Sequence, residues 1–266
     1  MTSDARTGFG PDPVEVAVVA EQFGVAAAQV ERDHLISHVL AALARSDVAD
    51  RLTFFGGTAL SRTLLPLLRL SEDIDLIVAG SRSEAALALT AAIWRSLART
   101  HGRVTWTPEL GRTAGAVGSV LAVEGSALRI QVQLLSDEGY PRWPTRRRQI
   151  HQRFADAPAA TLRTLTPPAF VASKLAAWYD RRAPRDLFDL WGLAEAGHID
   201  ARALALYARL GPTNRPPEPS MFDSVPSQQD WALALAHQCR LSVNPESAGR
   251  VVRRAIRGAA AAVTKT

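Results

Sequence analysis

The sequence has one cysteine, Cys239, which leaves no disulfide framework and no thiol-ligated metal site. No stretch approaches the ~20 consecutive apolar residues that a membrane-spanning helix needs. The first residues, MTSDARTGFG, lack signal-peptide character, so a soluble, cytoplasmic chain with no membrane partner is expected. The histidines at 34, 38, 101, 151, 198 and 237 show no metal-ligand spacing. No serine or cysteine sits in a nucleophile elbow, and there is no internal repeat. Lysine is also scarce. Of 31 basic residues only Lys174 and Lys265 are lysine and the other 29 are arginine. Lys174 is therefore the one interior place where an arginine-biased chain uses a compact ammonium, which points to a specific need for it.

What is present is a chain of 266 residues, long enough for a large core in one extended or two smaller domains. Its 47% apolar and 21% charged residues are ordinary for a folded protein. The net charge of +5 and pI of about 10.1 suit a polyanionic partner.

The stretch from Phe54 to Val78, FFGGTALSRTLLPLLRLSEDIDLIV, carries the chemistry. Its last segment reads as a strand, so Asp73 and Asp75 share one face while Ile74 and Leu76 face the core. Two carboxylates so placed can hold one or two hard cations, with magnesium the natural occupant. Gly56-Gly57 can bend the backbone and expose N–H groups, and a helix is expected from Thr58 onward, an arrangement that attracts phosphate. Either part alone is commonplace, a turn or a solvated strand end. A calcium loop is excluded because Ile77 and Val78 stand where an acidic or amide residue and a glycine are needed. Together the two parts are what a nucleotidyl-transfer site requires.

FFGGTALSR and RLSEDIDL, with Glu31-Arg32-Asp33-His34, Val39-Leu40, Lys174-Leu175, Arg181 and Pro184-Arg185-Asp186-Leu187-Phe188-Asp189-Leu190, resemble the AbiEii-type nucleotidyltransferase toxins of type IV toxin–antitoxin systems. The resemblance spans about two thirds of the chain. It implies an α/β protein with a polymerase-β-like mixed-sheet core. Residues 1–49 would form a helical segment, 50–157 the core and 158–266 a helical domain, with the site in the cleft between the last two. It implies that Asp73 and Asp75 hold magnesium and that Lys174 holds the triphosphate, with Asp186 orienting it or Arg185. The nucleotide would meet Gly56, Gly57, Thr58, Arg62, Ser71, Lys174 and Arg185. The acceptor would be RNA, a tRNA 3′ end, and a cognate antitoxin would be the partner. A third carboxylate is usual on the neighbouring strand; the matching position is Gln131, an amide, with Glu124 as a substitute.

Elsewhere, helices are expected over 13–28, 29–44 (core stripe Leu35, Val39, Leu40, Leu43) and 84–100 (core face Leu87, Ala91, Trp94, Leu97). Glu31, Asp33 and His34 read as capping and solvated groups at a helix start. Short strands are expected near 104–107, 116–123 and 127–135. Residues 139–153 are densely basic. There Arg142, Arg146, Arg147 and Arg148, interleaved with Tyr140 and Trp143, can bind RNA phosphates and stack on bases, or form a solvated loop. A link over 157–165 leads to a helix starting at Thr166-Pro167. Asp186 can also form a salt bridge with Arg182 or Arg185. Two other functions fit the residues: transfer to a protein or small molecule, and a non-catalytic binding module that kept the fold.

Overall fold

The computed structural model describes residues 10–113 and 117–263, so Lys265 and Ala116 lie outside the described residues. Seven strands among them form one mixed sheet: β1 (Leu52–Phe55), β2 (Asp73–Val78), β3 (Val104–Thr107), β4 (Ser119–Val123), β5 (Arg129–Ser136), β6 (Thr145–Gln149) and β7 (Thr161–Leu165). Their order is β3-β4-β5-β2-β1-β7-β6. At the centre β2 runs antiparallel to β1 and parallel to β5, and β1 runs parallel to β7. The stretch read as a link thus contains a strand. Leu162, Thr164 and Leu165 of β7 are buried, and the sheet continues past residue 157.

Before the sheet come α1 (Pro13–Phe23) and α2 (Ala27–Ala44). Asp12 caps α1 by accepting from the Val14 N–H at 2.9 Å, and Gly24 ends it at φ 69°, a left-handed conformation that glycine adopts freely. Every residue of α2 from Leu35 to Leu43 is buried, so the helix is enclosed rather than striped. It packs on α4 (Arg82–Leu97), whose buried face is Ala86, Leu89, Ile93 and Leu97. The expected α4 face is corrected: Leu87 and Trp94 are 74% and 54% exposed. The Leu89-Ile93-Leu97 row, at spacing i, i+4, i+8, buries more branched apolar surface than a stripe with an alanine at its centre.

After β7 the chain is helical: α5 (Pro167–Arg181), α6 (Pro184–Glu195), α7 (Ala201–Leu210), α8 (Gln228–Leu235) and α9 (Pro245–Val263), numbered after a short α3 (Gly56–Ser61). Thr166 and Pro167 start α5 as anticipated, although the Thr166 side chain makes no capping bond. Pro184 opens α6. The main core joins α2, α4, the sheet and α5–α9.

Candidate active site

The site begins with β2. Ile74, Leu76 and Val78 are fully buried on one face, which fixes the register of the strand and turns Asp73 and Asp75 to the other. Phe55 pairs with Asp75 across β1, and the chain turns there into α3. Gly56 has φ 77°, and a Cβ on it would stand 2.0 Å from Asp75 Oδ2. Only glycine lets the backbone pass this close to the carboxylate. A Cβ on Gly57 would stand 2.6 Å from Arg69 Nη2.

A cleft of about 500 Å³ opens here, lined by Gly56, Gly57, Asp75, Gln133, Tyr140 and Lys174, with Arg181 and the end of α7 opposite. Neither Asp73 nor Asp75 has a side-chain hydrogen-bond or ion-pair partner among the described residues. Burial raises the Asp73 carboxyl against the pull of Arg185. Burial, then the charge of Asp73, pushes Asp75 up to about 6 despite Lys174, Arg181 and Arg185. A larger hollow of about 900 Å³ shares Arg181 but is lined by neither Asp75 nor Gly56 and Gly57.

Lys174 is buried and its Nζ lies 2.7 Å from Asp189 Oδ2 and 3.0 Å from Asp186 Oδ1. Arg181 grips Asp186 at 2.7 and 3.0 Å, and Arg69 grips Asp189 at 2.7 and 2.9 Å. Three cations and two carboxylates therefore interlock, and Arg69 carries the network to the glycine turn. Burial opposes every charge in it. For Asp186 the charge of Lys174 and the bonds from Arg181 win and hold the carboxyl at about 2. The partners of Asp186 are thus Lys174 and Arg181, not Arg182 or Arg185. Arg185 is 4.0 Å from Glu72.

Other expectations are corrected. The Thr58 hydroxyl does not face a phosphate; it is buried and donates to the carbonyl of Asp73, bracing β2. Arg62 is fully buried away from the cleft, with Nη2 2.7 Å from Asp33 Oδ1, and burial lowers it to about 9. Asp33 also holds Arg153 at 3.3 Å, so it is a core anchor and not a solvated cap. Ser71 is buried, and its Oγ would stand 3.2 Å from a Cβ on Gly57. Gln131 pairs in register with Asp73 but is exposed and lies against Gly118, whereas Gln133 pairs with Asp75 and lines the cleft. Glu124 pairs with Arg103 at 3.4 Å and is not a cleft residue. Trp143 is buried in the wall of the cleft, while Tyr140 packs edge-on against Phe55.

Sequence reasoning missed Gln133, Arg69 and Asp189. Asp189 follows Asp186 by three residues on α6, the spacing that puts both on one helix face and the only signal for the network. Sequence reasoning also missed that His34, His38 and Asp156 meet, although His34 and His38 stand at the i, i+4 spacing that puts two rings on one helix face.

In the Gly56→Ala variant, the added methyl must displace Asp75 from a backbone position that is itself strained for alanine. Transfer should fall by at least about 10²-fold, with a stability loss of roughly 1–3 kcal/mol. Single-turnover kinetics and thermal denaturation check this; a variant with wild-type transfer would show that the approach of Gly56 to Asp75 is not needed.

A mixed sheet with two carboxylates that lack a side-chain partner among the described residues, beside a glycine turn and with a cationic helix near by, is an arrangement that suits nucleotidyl transfer. The family model described as nucleotidyl transferase AbiEii toxin, type IV toxin–antitoxin system, matches residues 38–244, and the chain belongs to that family. It is thus a nucleotidyltransferase toxin, with an antitoxin as its family-level partner. The fold is shared with MenT4, a nucleotidyltransferase toxin of Mycobacterium tuberculosis, at 19% identity, TM-score 0.68 and coverage of 91% of this chain and 88% of that one. It is also shared with a protein from H. pylori described as a candidate nucleotidyltransferase, at 15% identity, TM-score 0.58 and coverage of 91% and 98%. No curated protein sequence matches. No described helix is long and apolar enough to cross a membrane.

Proposed function

We propose that the cleft transfers a nucleoside monophosphate from a nucleoside triphosphate to RNA in the cytoplasm, and that the acceptor is a tRNA 3′ end, so that translation stops. The observation that carries this is the pair Asp73 and Asp75 on one face of β2, without a side-chain partner among the described residues, with Asp75 pressed against the Gly56 backbone. Two carboxylates with no protein cation on them are a donor set that fits magnesium, and the neutral amide of Gln133 stands in register beside Asp75. Bound there, magnesium would neutralise charge on the phosphates and orient the acceptor. The chain's own residues do the rest. The Gly56-Gly57 backbone lines the phosphate side, and Lys174, Arg181 and Arg185 supply positive potential toward Asp75. The acceptor hydroxyl attacks the α-phosphorus, pyrophosphate leaves, and the hydroxyl proton is released. Incubation with labelled nucleoside triphosphates, magnesium and total RNA should place label on an RNA the size of tRNA. Label on protein or on a small molecule instead would overturn the choice of acceptor.

The basic stretch gives the acceptor a path. Tyr140 and Pro141 line the cleft, and the chain continues into β6 at the sheet edge, where Arg146 and Arg147 are exposed, Arg148 is half-buried and Arg142 is exposed just before. Arg147 pairs with Asp50, an exposed contact that RNA can displace at little cost. Replacing Arg146, Arg147 and Arg148 by alanine should reduce the slope of log K against log salt by roughly 2 units, since each phosphate contact contributes about 0.7–0.9. Nucleotide affinity should not change. An unchanged slope in filter binding would mean that RNA docks elsewhere.

A further inference from the structure

The first half of α2, the turn after α4 and the segment between β6 and β7 meet in a cluster that takes no part in the chemistry above. His34 and His38 are one helical turn apart on α2. Nε2 of His34 lies 3.2 Å from Nε2 of His38 and 3.2 and 3.1 Å from the two carboxylate oxygens of Asp156. Nε2 of His38 lies 3.4 Å from Asp156 Oδ2. Three atoms of zinc-binding type therefore stand at the corners of a triangle with edges of 3.1–3.4 Å. In a tetrahedral site with bonds of about 2.0–2.1 Å, ligand atoms are separated by roughly 3.3–3.4 Å. The triangle is close to one face of such a site.

The surroundings supply a second, independent indication. Nδ1 of His34 lies 3.1 Å from Nε2 of His101, and Nδ1 of His101 lies 2.9 Å from the Thr100 hydroxyl. A cation on Nε2 of His34 puts that ring's proton on Nδ1, where it donates to His101. His101 then carries its own proton on Nδ1 and donates to Thr100. Metal-binding imidazoles characteristically have such an outer partner, which fixes tautomer and orientation. Phe154 meets the His34 ring edge-on at 4.9 Å and holds it further. His34 and His38 are buried, while the Asp156 side chain is 39% exposed and leaves a way in for an ion and for a fourth, solvent ligand.

We propose that His34, His38 and Asp156 bind one divalent cation of the zinc type, with His101 as the outer partner of His34. Two imidazoles and a carboxylate favour zinc or its neighbours over magnesium, so this cation differs in kind from the one proposed for Asp73 and Asp75. Its effect would be mechanical. The segment that brings Asp156 also brings Arg153, which anchors Asp33 and donates to the carbonyls of Ser61 and Pro66 at 2.8 and 2.9 Å. An ion would thus pin α2 to the chain that supports the end of α3.

The test is titration of the full, chelator-treated protein with cobalt(II), a spectroscopic substitute, and then with zinc. The expected result is one equivalent bound, with the strong visible absorption of a four-coordinate ion, displaced by zinc, and a raised melting temperature. Asp156→Asn and His38→Gln should each weaken zinc binding at least tenfold, and His101→Asn by 10- to 100-fold. Asp156 is partly exposed, so Asp156→Asn carries the test even if His38→Gln does not fold. The double variant Asp73→Asn, Asp75→Asn should bind zinc like the wild type. No bound equivalent, unchanged affinity in Asp156→Asn, or loss of binding in the double variant would each overturn the proposal.

Discussion

Asp75→Asn is expected to abolish transfer and, at the same time, to stabilise the metal-free protein. The half-buried carboxyl stands beside Asp73 with no side-chain partner among the described residues, and desolvation pushes its pKa from 3.8 up to about 6. The folded state therefore holds the proton more tightly than the unfolded chain. Below about pH 4 both states are protonated and the group is neutral to stability. Between about pH 4 and 6 only the folded state keeps the proton, so stability falls as pH rises through that window. Above it the charge costs the fold about 3 kcal/mol. Asparagine keeps the shape and removes that cost. At pH 7.5 in chelator the melting temperature should rise by several degrees, about 2–4 °C per kcal/mol for a chain of this size, and the decline between pH 4 and 6 should flatten. Magnesium should stabilise the wild type but not the variant. Transfer should fall by about 10³-fold or more, because a bound metal supplies several kcal/mol of charge stabilisation. A variant that keeps wild-type transfer, or that melts lower than wild type in chelator, would remove Asp75 from the site.

This pair was legible in the sequence because alternation along one strand needs only local information. Ile74, Leu76 and Val78 declare the core face, and the aspartates follow. The extent of β3 was legible too: the short strand expected near 104–107 is the one the fold contains. What depends on register or on distant partners was not. The choice between Gln131 and Gln133 is a choice of which residue of β5 faces Asp75, and the parallel pairing of β2 with β5 decides it. Arg62 and Arg181 look alike as arginines near motifs. One is buried on Asp33, 29 residues earlier in the chain, while the other bonds Asp186 at the edge of the cleft. β7 escaped notice because it is five residues long and owes its strand state to pairing with β1 and β6, not to a pattern of its own. His34 and His38 lacked an obvious third ligand because Asp156 arrives from 118 residues further on, through a loop whose path only the fold sets.

The other large effect is expected at Lys174. Its ammonium has three N–H donors; two go to Asp186 and Asp189, which leaves one on a residue that lines the cleft. We propose that this third donor meets the triphosphate, so that the two carboxylates position the lysine rather than neutralise it. Lys174→Ala leaves Asp186 with Arg181 alone and Asp189 with Arg69 alone. Removing one member of a buried charge cluster costs roughly 3–5 kcal/mol, here nearer the lower figure because each acid keeps one partner. The pH dependence checks the same point. Asp186 is held at about 2 and Asp189 is also depressed, so their contribution is present above about pH 4 and is lost as pH falls through 2. Without Lys174 both carboxyls should titrate higher, and acid unfolding should begin at higher pH. Lys174→Arg keeps the charge but forces a planar fork into a slot only 7% exposed, at a cost of about 1–3 kcal/mol. Measured well below its melting temperature, it should bind nucleotide weakly and lose most transfer. Calorimetric nucleotide binding beside single-turnover transfer separates the two roles. Normal acid unfolding in Lys174→Ala would discard the strut, and full transfer in Lys174→Arg would discard the contact with the triphosphate.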